Sequence, residues 1–108
     1  MIVMTVTWPV AVFDDDVYPY VLADQLSLAS WAESEETALD EFTAGFDSDG
    51  RPLRLVFAGG EPSLVISGEP DIAAFRSVAS DALTRRGSSA SVESLGVADL
   101  IGLLHEVS

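Results

Sequence analysis

The stretch FTAGFDSDGRPLRLVFAGGEPSLVI, residues 42–66, carries two turn signals set among alternating apolar residues. Asp49-Gly50 suits a type I′ hairpin, because both central positions need positive φ and these two residue types tolerate it. A two-residue loop there places Phe46 opposite Leu53, Ala44 opposite Leu55 and Phe42 opposite Phe57, all on one face. Gly59-Gly60 repeats the test: it sets Phe57 against Pro62, Leu55 against Leu64 and Leu53 against Ile66, again on that face. A slip of one residue would scatter both sets. The expectation is a three-stranded antiparallel meander over about 40–67.

On the C-terminal side, 70–86 reads as a helix that covers the apolar face of the meander. Pro70 and Asp71 suit its start, Arg85 and Arg86 its negative end, and Gly87 its stop. Ile72, Phe75, Ala79, Ala82 and Leu83 form its inward stripe. Val92–Leu95 reads as a short edge strand. Val97, Leu100, Ile101 and Leu104 recur at i, i+3, i+4 and i+7 and mark a closing helix.

On the N-terminal side, Met4, Val6, Trp8, Val10 and Val12 alternate with Thr5, Thr7, Pro9 and Ala11, the pattern of a strand. Pro9 has no N–H to donate, which implies a sheet edge or a local break. The Asp14-Asp15-Asp16 turn leads to a second strand, Val17–Leu22, and so to an N-terminal hairpin. Asp24 can cap a helix on which Leu28, Trp31 and Ala32 share a face, with Trp31 in the core. Residues 33–44 read equally as the end of that helix or the start of a strand. The fold class is therefore α+β: an antiparallel sheet made of the meander and the N-terminal hairpin, with two to three helices packed mainly on one face. At 108 residues the expectation is one domain, 1–108.

Charge is the strongest compositional signal. Eighteen acids and five basic residues give a net charge of −13. The basic residues are all arginine: Arg51, Arg54, Arg76, Arg85 and Arg86. Residues 1–50 hold eleven acids and no arginine, whereas 51–108 hold seven acids and five arginines, so the halves carry −11 and −2. Such a field repels nucleic acid and anionic membranes and draws in basic proteins. Met1–Val12 is apolar but lacks a basic n-region and a small-residue cleavage site, and it is too short to span a bilayer; a cytoplasmic protein is expected.

The chemistry on offer is narrow. Cysteine and lysine are absent, which excludes thiol catalysis, thiolate metal sites and disulfides. His105 is the one histidine, and no Gly-x-Ser-x-Gly elbow accompanies it; it reads as a helix-end residue beside the negative dipole. Gly59-Gly60 lacks the lysine and helix of a phosphate loop. Asp14, Asp15 and Asp16, or Asp47 and Asp49, are hard oxygen donors suited to Ca²⁺ or Mg²⁺, but Arg51-Pro52 follow where an EF-hand loop would continue. Aspartates of this kind more commonly bond nearby backbone N–H groups in turns. No catalytic, cofactor or metal-ligating set is expected.

What remains is recognition. Tyr18 and Tyr20 sit beside the aspartate run, with Pro19 between them favouring an edge. Asp14, Asp15, Asp16, Tyr18 and Tyr20 are the candidate contact for a basic protein partner. In size, charge and architecture the chain resembles small bacterial α+β proteins and immunity proteins that neutralise basic toxins. That resemblance implies a non-enzymatic, protein-binding role, and no functional residue is carried over from it. Two alternatives stand beside it: a self-associating domain that pairs into a homodimer through Met4–Val12 and the closing helix, and a carboxylate-based enzyme or divalent-cation-binding protein.

Overall fold

The computed structural model describes residues 5–108. Met4, placed on the N-terminal strand by its alternation, lies outside the described residues. Among the described residues, five strands and four helices run in the order β1 (Val10–Phe13), β2 (Pro19–Leu22), α1 (Gln25–Trp31), α2 (Glu35–Glu41), β3 (Ala44–Phe46), β4 (Leu53–Ala58), β5 (Glu61–Ile66), α3 (Ile72–Arg85) and α4 (Val97–Val107). The class is α+β with antiparallel sheets, as the patterning implied.

The sheets are two. One has the order β2-β1-β3 and the other is the β4-β5 hairpin. The Gly59-Gly60 hairpin has the expected register, with Phe57 opposite Pro62, Leu55 opposite Leu64 and Leu53 opposite Ile66. The Asp49-Gly50 register is corrected. β3 pairs with β1, setting Ala11 against Phe46 and Phe13 against Ala44, and meets the next strand only at a single Phe46–Pro52 bridge. Two causes act together. The loop closes over three residues, since the Asp47 N–H donates to the Arg51 carbonyl at 3.1 Å, and this shifts the register by one. Pro52 then has no N–H with which to continue the ladder, and its carbonyl accepts from Ser67 on the other side at 2.9 Å. The three-stranded meander is thus a two-stranded hairpin plus a strand that has joined the N-terminal sheet.

β1 is the centre of the molecule. Strand formation begins just after Pro9, so the proline marks a local break rather than an edge. All four residues of Val10–Phe13 are fully buried. Ala11 and Phe13 face a core with Phe46, Phe75, Ala79, Leu83, Leu100 and Leu104. Val10 and Val12 face a second core with Leu22, Leu28, Ala38, Leu53, Leu55 and Leu64. The helices therefore divide between two faces instead of packing mainly on one: α3 and α4 cover the first core, α1 and α2 border the second.

The local sequence explains the helices. Asp24 caps α1, accepting the Ser27 N–H at 2.9 Å and its hydroxyl at 3.0 Å, and these bonds hold the Asp24 carboxyl below its ordinary pKa. Residues 33–44 resolve as a second helix and then a strand: Ser34 caps α2, with Glu35 and Glu36 at the favourable end of the dipole. In α3, Asp71 rather than Pro70 opens the helix, accepting the Ala74 N–H at 3.0 Å. Its stripe is as read, with Phe75, Ala79, Ala82 and Leu83 buried and Ile72 half-buried. Phe75 stacks on Phe46 at 4.7 Å between centroids and meets Phe13 edge-on at 6.5 Å. Val92–Leu95 is a turn, closed by the Leu95 N–H to the Val92 carbonyl at 3.1 Å; its apolar residues serve the first core instead of a sheet edge, Val92 buried in it and Leu95 packed against it. No described helix is long and apolar enough to cross a membrane.

Candidate functional site: an aromatic row beside an acidic loop

The Asp14–Tyr18 loop between β1 and β2 is built on one side chain. Asp14 Oδ1 accepts the N–H groups of Asp16 and Tyr18, both at 2.9 Å, and Asp14 Oδ2 accepts the Tyr20 hydroxyl at 3.1 Å. The Asp14 N–H donates to the Tyr18 carbonyl at 3.1 Å, and the Val17 N–H to the Asp14 carbonyl at 3.0 Å. Val17 closes the loop at φ 57°, a left-handed conformation that a β-branched residue rarely adopts.

The Asp47–Arg51 loop repeats this geometry bond for bond. Asp47 Oδ1 accepts the N–H groups of Asp49 and Arg51, both at 3.0 Å. The Gly50 N–H donates to the Asp47 carbonyl at 2.9 Å, with Gly50 at φ 78° in the place of Val17. Here the second carboxylate oxygen takes the Thr7 N–H at 3.2 Å and the Arg51 guanidinium at 2.7 and 3.0 Å. Asp47 is fully buried. Burial opposes its ionisation, but the Arg51 side chain and the N–H groups of Arg51, Thr7 and Asp49 outweigh this and hold its carboxyl below the ordinary value. Both loop aspartates therefore spend their oxygens on the protein's own donors. Among the described residues, no three His, Asp or Glu side chains are gathered as metal ligands.

The five candidate contact residues separate into two roles. Asp14 is 8% exposed and holds the loop together from inside. Asp15 and Asp16 are exposed, and Tyr18 and Tyr20 are half-buried. The tyrosines do not end the patch. Tyr18 and Tyr20 lie 5.1 Å apart between ring centroids, Tyr20 and Trp31 5.6 Å, and Trp31 and Phe42 6.5 Å, with interplanar angles of 49°, 55° and 69°. Four half-buried rings, from the loop before β2, β2 itself, α1 and the C-cap of α2, thus form one continuous row. Trp31, read from its spacing as core, packs against the second core with its ring still partly exposed.

Charge frames this row. The Tyr20 hydroxyl is raised above its ordinary pKa, first by burial, then by its hydrogen bond to Asp14, then by the negative charges of Asp14 and Glu41. Phe42 is the C-cap of α2, whose Glu35, Glu36 and Asp40 are exposed. Among the described residues, the salt bridges use only Arg51 and Arg85, with Asp47, Asp49 and Asp81. The acids of α2 therefore keep their charge uncompensated. At the opposite end of the row two arginines from the end of α3 approach: the Arg86 guanidinium lies 4.6 Å from the centroid of the Tyr18 ring, and Arg85 Nη1 donates to the Asp16 carbonyl at 3.4 Å.

The alternative sites are open surfaces. An apolar groove of about 390 Å³ runs between α4 and β2, lined by Pro9, Val21, Ala23, Ile101 and His105. A second depression on the far side of Ala98 and Gly102 carries Asp99 and Glu106, both exposed. His105 stands exposed in the last turn of α4. The strand edge ascribed to Met4–Val12 for self-pairing is not an edge over Val10–Phe13, which β2 and β3 flank on both sides.

Trp31, Phe42, Glu41 and Arg86 are the members of this surface that sequence reasoning missed. No local pattern joins them, because they come from three separate helices; the one hint is that Arg85-Arg86 is the sole adjacent basic pair in an acidic chain. No family model matches this chain, and neither a curated protein nor a solved structure shows significant similarity to it.

Proposed function

We propose that this protein is a non-enzymatic acidic binding module, an inhibitor or immunity-type partner of a basic protein, and that it binds through the Tyr18–Tyr20–Trp31–Phe42 row and the exposed carboxylates beside it. The observation that carries the reading is the row itself. Four rings in mutual contact, each left partly exposed, are an uneconomical way to fill a core but suit an interface, where aromatic anchors dominate the binding energy. Asp15, Asp16 and Glu41 around them, with α2 behind, favour lysine and arginine side chains, which gain both from the carboxylates and from ring faces.

The test is capture from the source organism's lysate on the immobilised protein at low salt, elution with a salt gradient, and identification by mass spectrometry. The expected result is one stoichiometric basic protein. With that partner purified, Tyr18→Ala is expected to weaken binding about tenfold or more, the effect of losing an interface anchor. The pair Asp15→Asn and Asp16→Asn should flatten the salt dependence. Affinity unchanged by both variants, or a smear of abundant basic proteins retained equally by them, would sink the reading.

A further inference from the structure

We infer that Arg86 is a built-in competitor at this surface: its guanidinium occupies the Tyr18 ring in the manner of a partner's cation and must be displaced for the row to be fully engaged. The inference rests on the reading above and adds a means of regulating the same site.

The arginines of this chain differ in how they are used. Arg51 is locked to Asp47, Arg76 donates twice to the Leu95 carbonyl at 2.8 and 3.1 Å, and Arg85 pairs with Asp81 at 3.2 Å. Arg86 is exposed, and among the described residues its guanidinium makes neither a salt bridge nor a hydrogen bond; its partner is the face of Tyr18 at 4.6 Å. Tyr20 already packs 5.1 Å from the same ring, so an incoming cation and Arg86 compete for what the row leaves open. Arg85 reinforces the cover by reaching the Asp16 carbonyl. In a chain of net charge −13, these neighbouring cations lie where a basic partner would place its own. The occupant to which this surface is fitted is therefore a guanidinium-bearing segment, and Arg86 sets the threshold for its entry.

Hexa-arginine peptide, titrated calorimetrically at low ionic strength, is a suitable probe. Arg86→Ala is expected to tighten its binding about two- to fivefold, the factor equivalent to about 0.5–1 kcal/mol for an exposed cation–π contact. Arg54→Ala removes the same charge from an exposed site on β4 and should leave the affinity within twofold of wild type. In a Tyr18→Ala background, the gain from Arg86→Ala should vanish, since the contested ring is gone. Equal gains from Arg86→Ala and Arg54→Ala, or a gain that survives without Tyr18, would assign the effect to net charge and overturn the inference while leaving the binding surface standing. Weaker or unchanged binding by Arg86→Ala overturns it as well. Failure of wild type and every variant to bind the peptide would overturn both the competitor and the reading it rests on.

Discussion

Replacing Asp47 with alanine removes the acceptor of five hydrogen bonds. The carboxylate accepts the N–H groups of Thr7, Asp49 and Arg51 and two bonds from the Arg51 guanidinium, all between 2.7 and 3.2 Å. Breaking a buried ion pair from one side costs about 3–5 kcal/mol, because the remaining charge loses its partner without regaining full hydration. Arg51 keeps 16% of its side-chain surface in water and still has Asp49 at 3.3 Å, so the lower end of that range applies, about 3 kcal/mol. A domain of this length has roughly 5–15 kcal/mol in total. With a urea m-value of about 1–1.5 kcal/mol/M, the midpoint of unfolding should fall by about 2–3 M. Asp49→Ala is the control: its ion pair to Arg51 is 3.3 Å long and its side chain 55% exposed, so the loss should stay below about 1 kcal/mol. Equal midpoint shifts in the two variants would refute the view that Asp47 organises the loop and the segment leading into β1. The pH dependence provides a second arm. The folded-state pKa of Asp47 is depressed, so its stabilisation is fully present above the unfolded value and is lost as pH falls through the folded one. The stability gap between wild type and Asp47→Asn should therefore narrow as pH drops from about 5 towards 2.

Other substitutions probe the turns, the ring row and the first core. Val17→Gly should be more stable than Val17→Ala by about 1 kcal/mol in thermal or urea unfolding, reversing the usual order, because only glycine relieves the left-handed backbone at φ 57°. Gly50→Ala and Gly60→Ala each force alanine into positive φ at about 1–2 kcal/mol, but Gly50→Ala should cost measurably more, since its new Cβ would lie 3.0 Å from Val97 Cγ2 whereas Gly60 has open space around it. Spectrophotometric titration should find one tyrosine ionising above the ordinary range and should return it towards normal in Asp14→Asn, where the negative charge beside Tyr20 is gone; no change would disconnect the two groups. Phe75→Ala should cost about 3–5 kcal/mol by calorimetry, because the ring is fully buried between Phe13 and Phe46.

The parts of this fold that were legible in the sequence are those decided within a few residues. Gly59-Gly60 fixed its hairpin because a two-residue loop leaves one register, and alternating Leu53, Leu55, Leu64 and Ile66 agree with it. The α3 stripe and the closing helix followed from spacing alone. Asp49-Gly50 misled because a side chain, not the dipeptide, sets that loop: Asp47 bonds the N–H groups two and four residues ahead and lengthens it by one. The same Asp-x-Asp pattern at 14–16 and 47–49 was the available clue, and it explains why Asp14 belongs inside the loop while Asp15 and Asp16 face solvent. The pairing of β3 with β1 joins residues more than thirty apart, beyond the reach of any turn signal. The ring row has the same origin: Tyr18 and Tyr20 lie two residues apart and were visible together, whereas Trp31 and Phe42 reach them only through the placement of α1 and α2.

β1 is four residues long, yet neither core closes without it. Its odd-numbered residues belong to one hydrophobic cluster and its even-numbered residues to the other, so inserting or deleting a single residue there would exchange the two sets and mismatch both clusters at once. A lesion elsewhere is felt by one core; a lesion here is transmitted to the whole molecule. The chain thus has two interiors that share one strand, and the expected outcome in calorimetry is one melting transition for both.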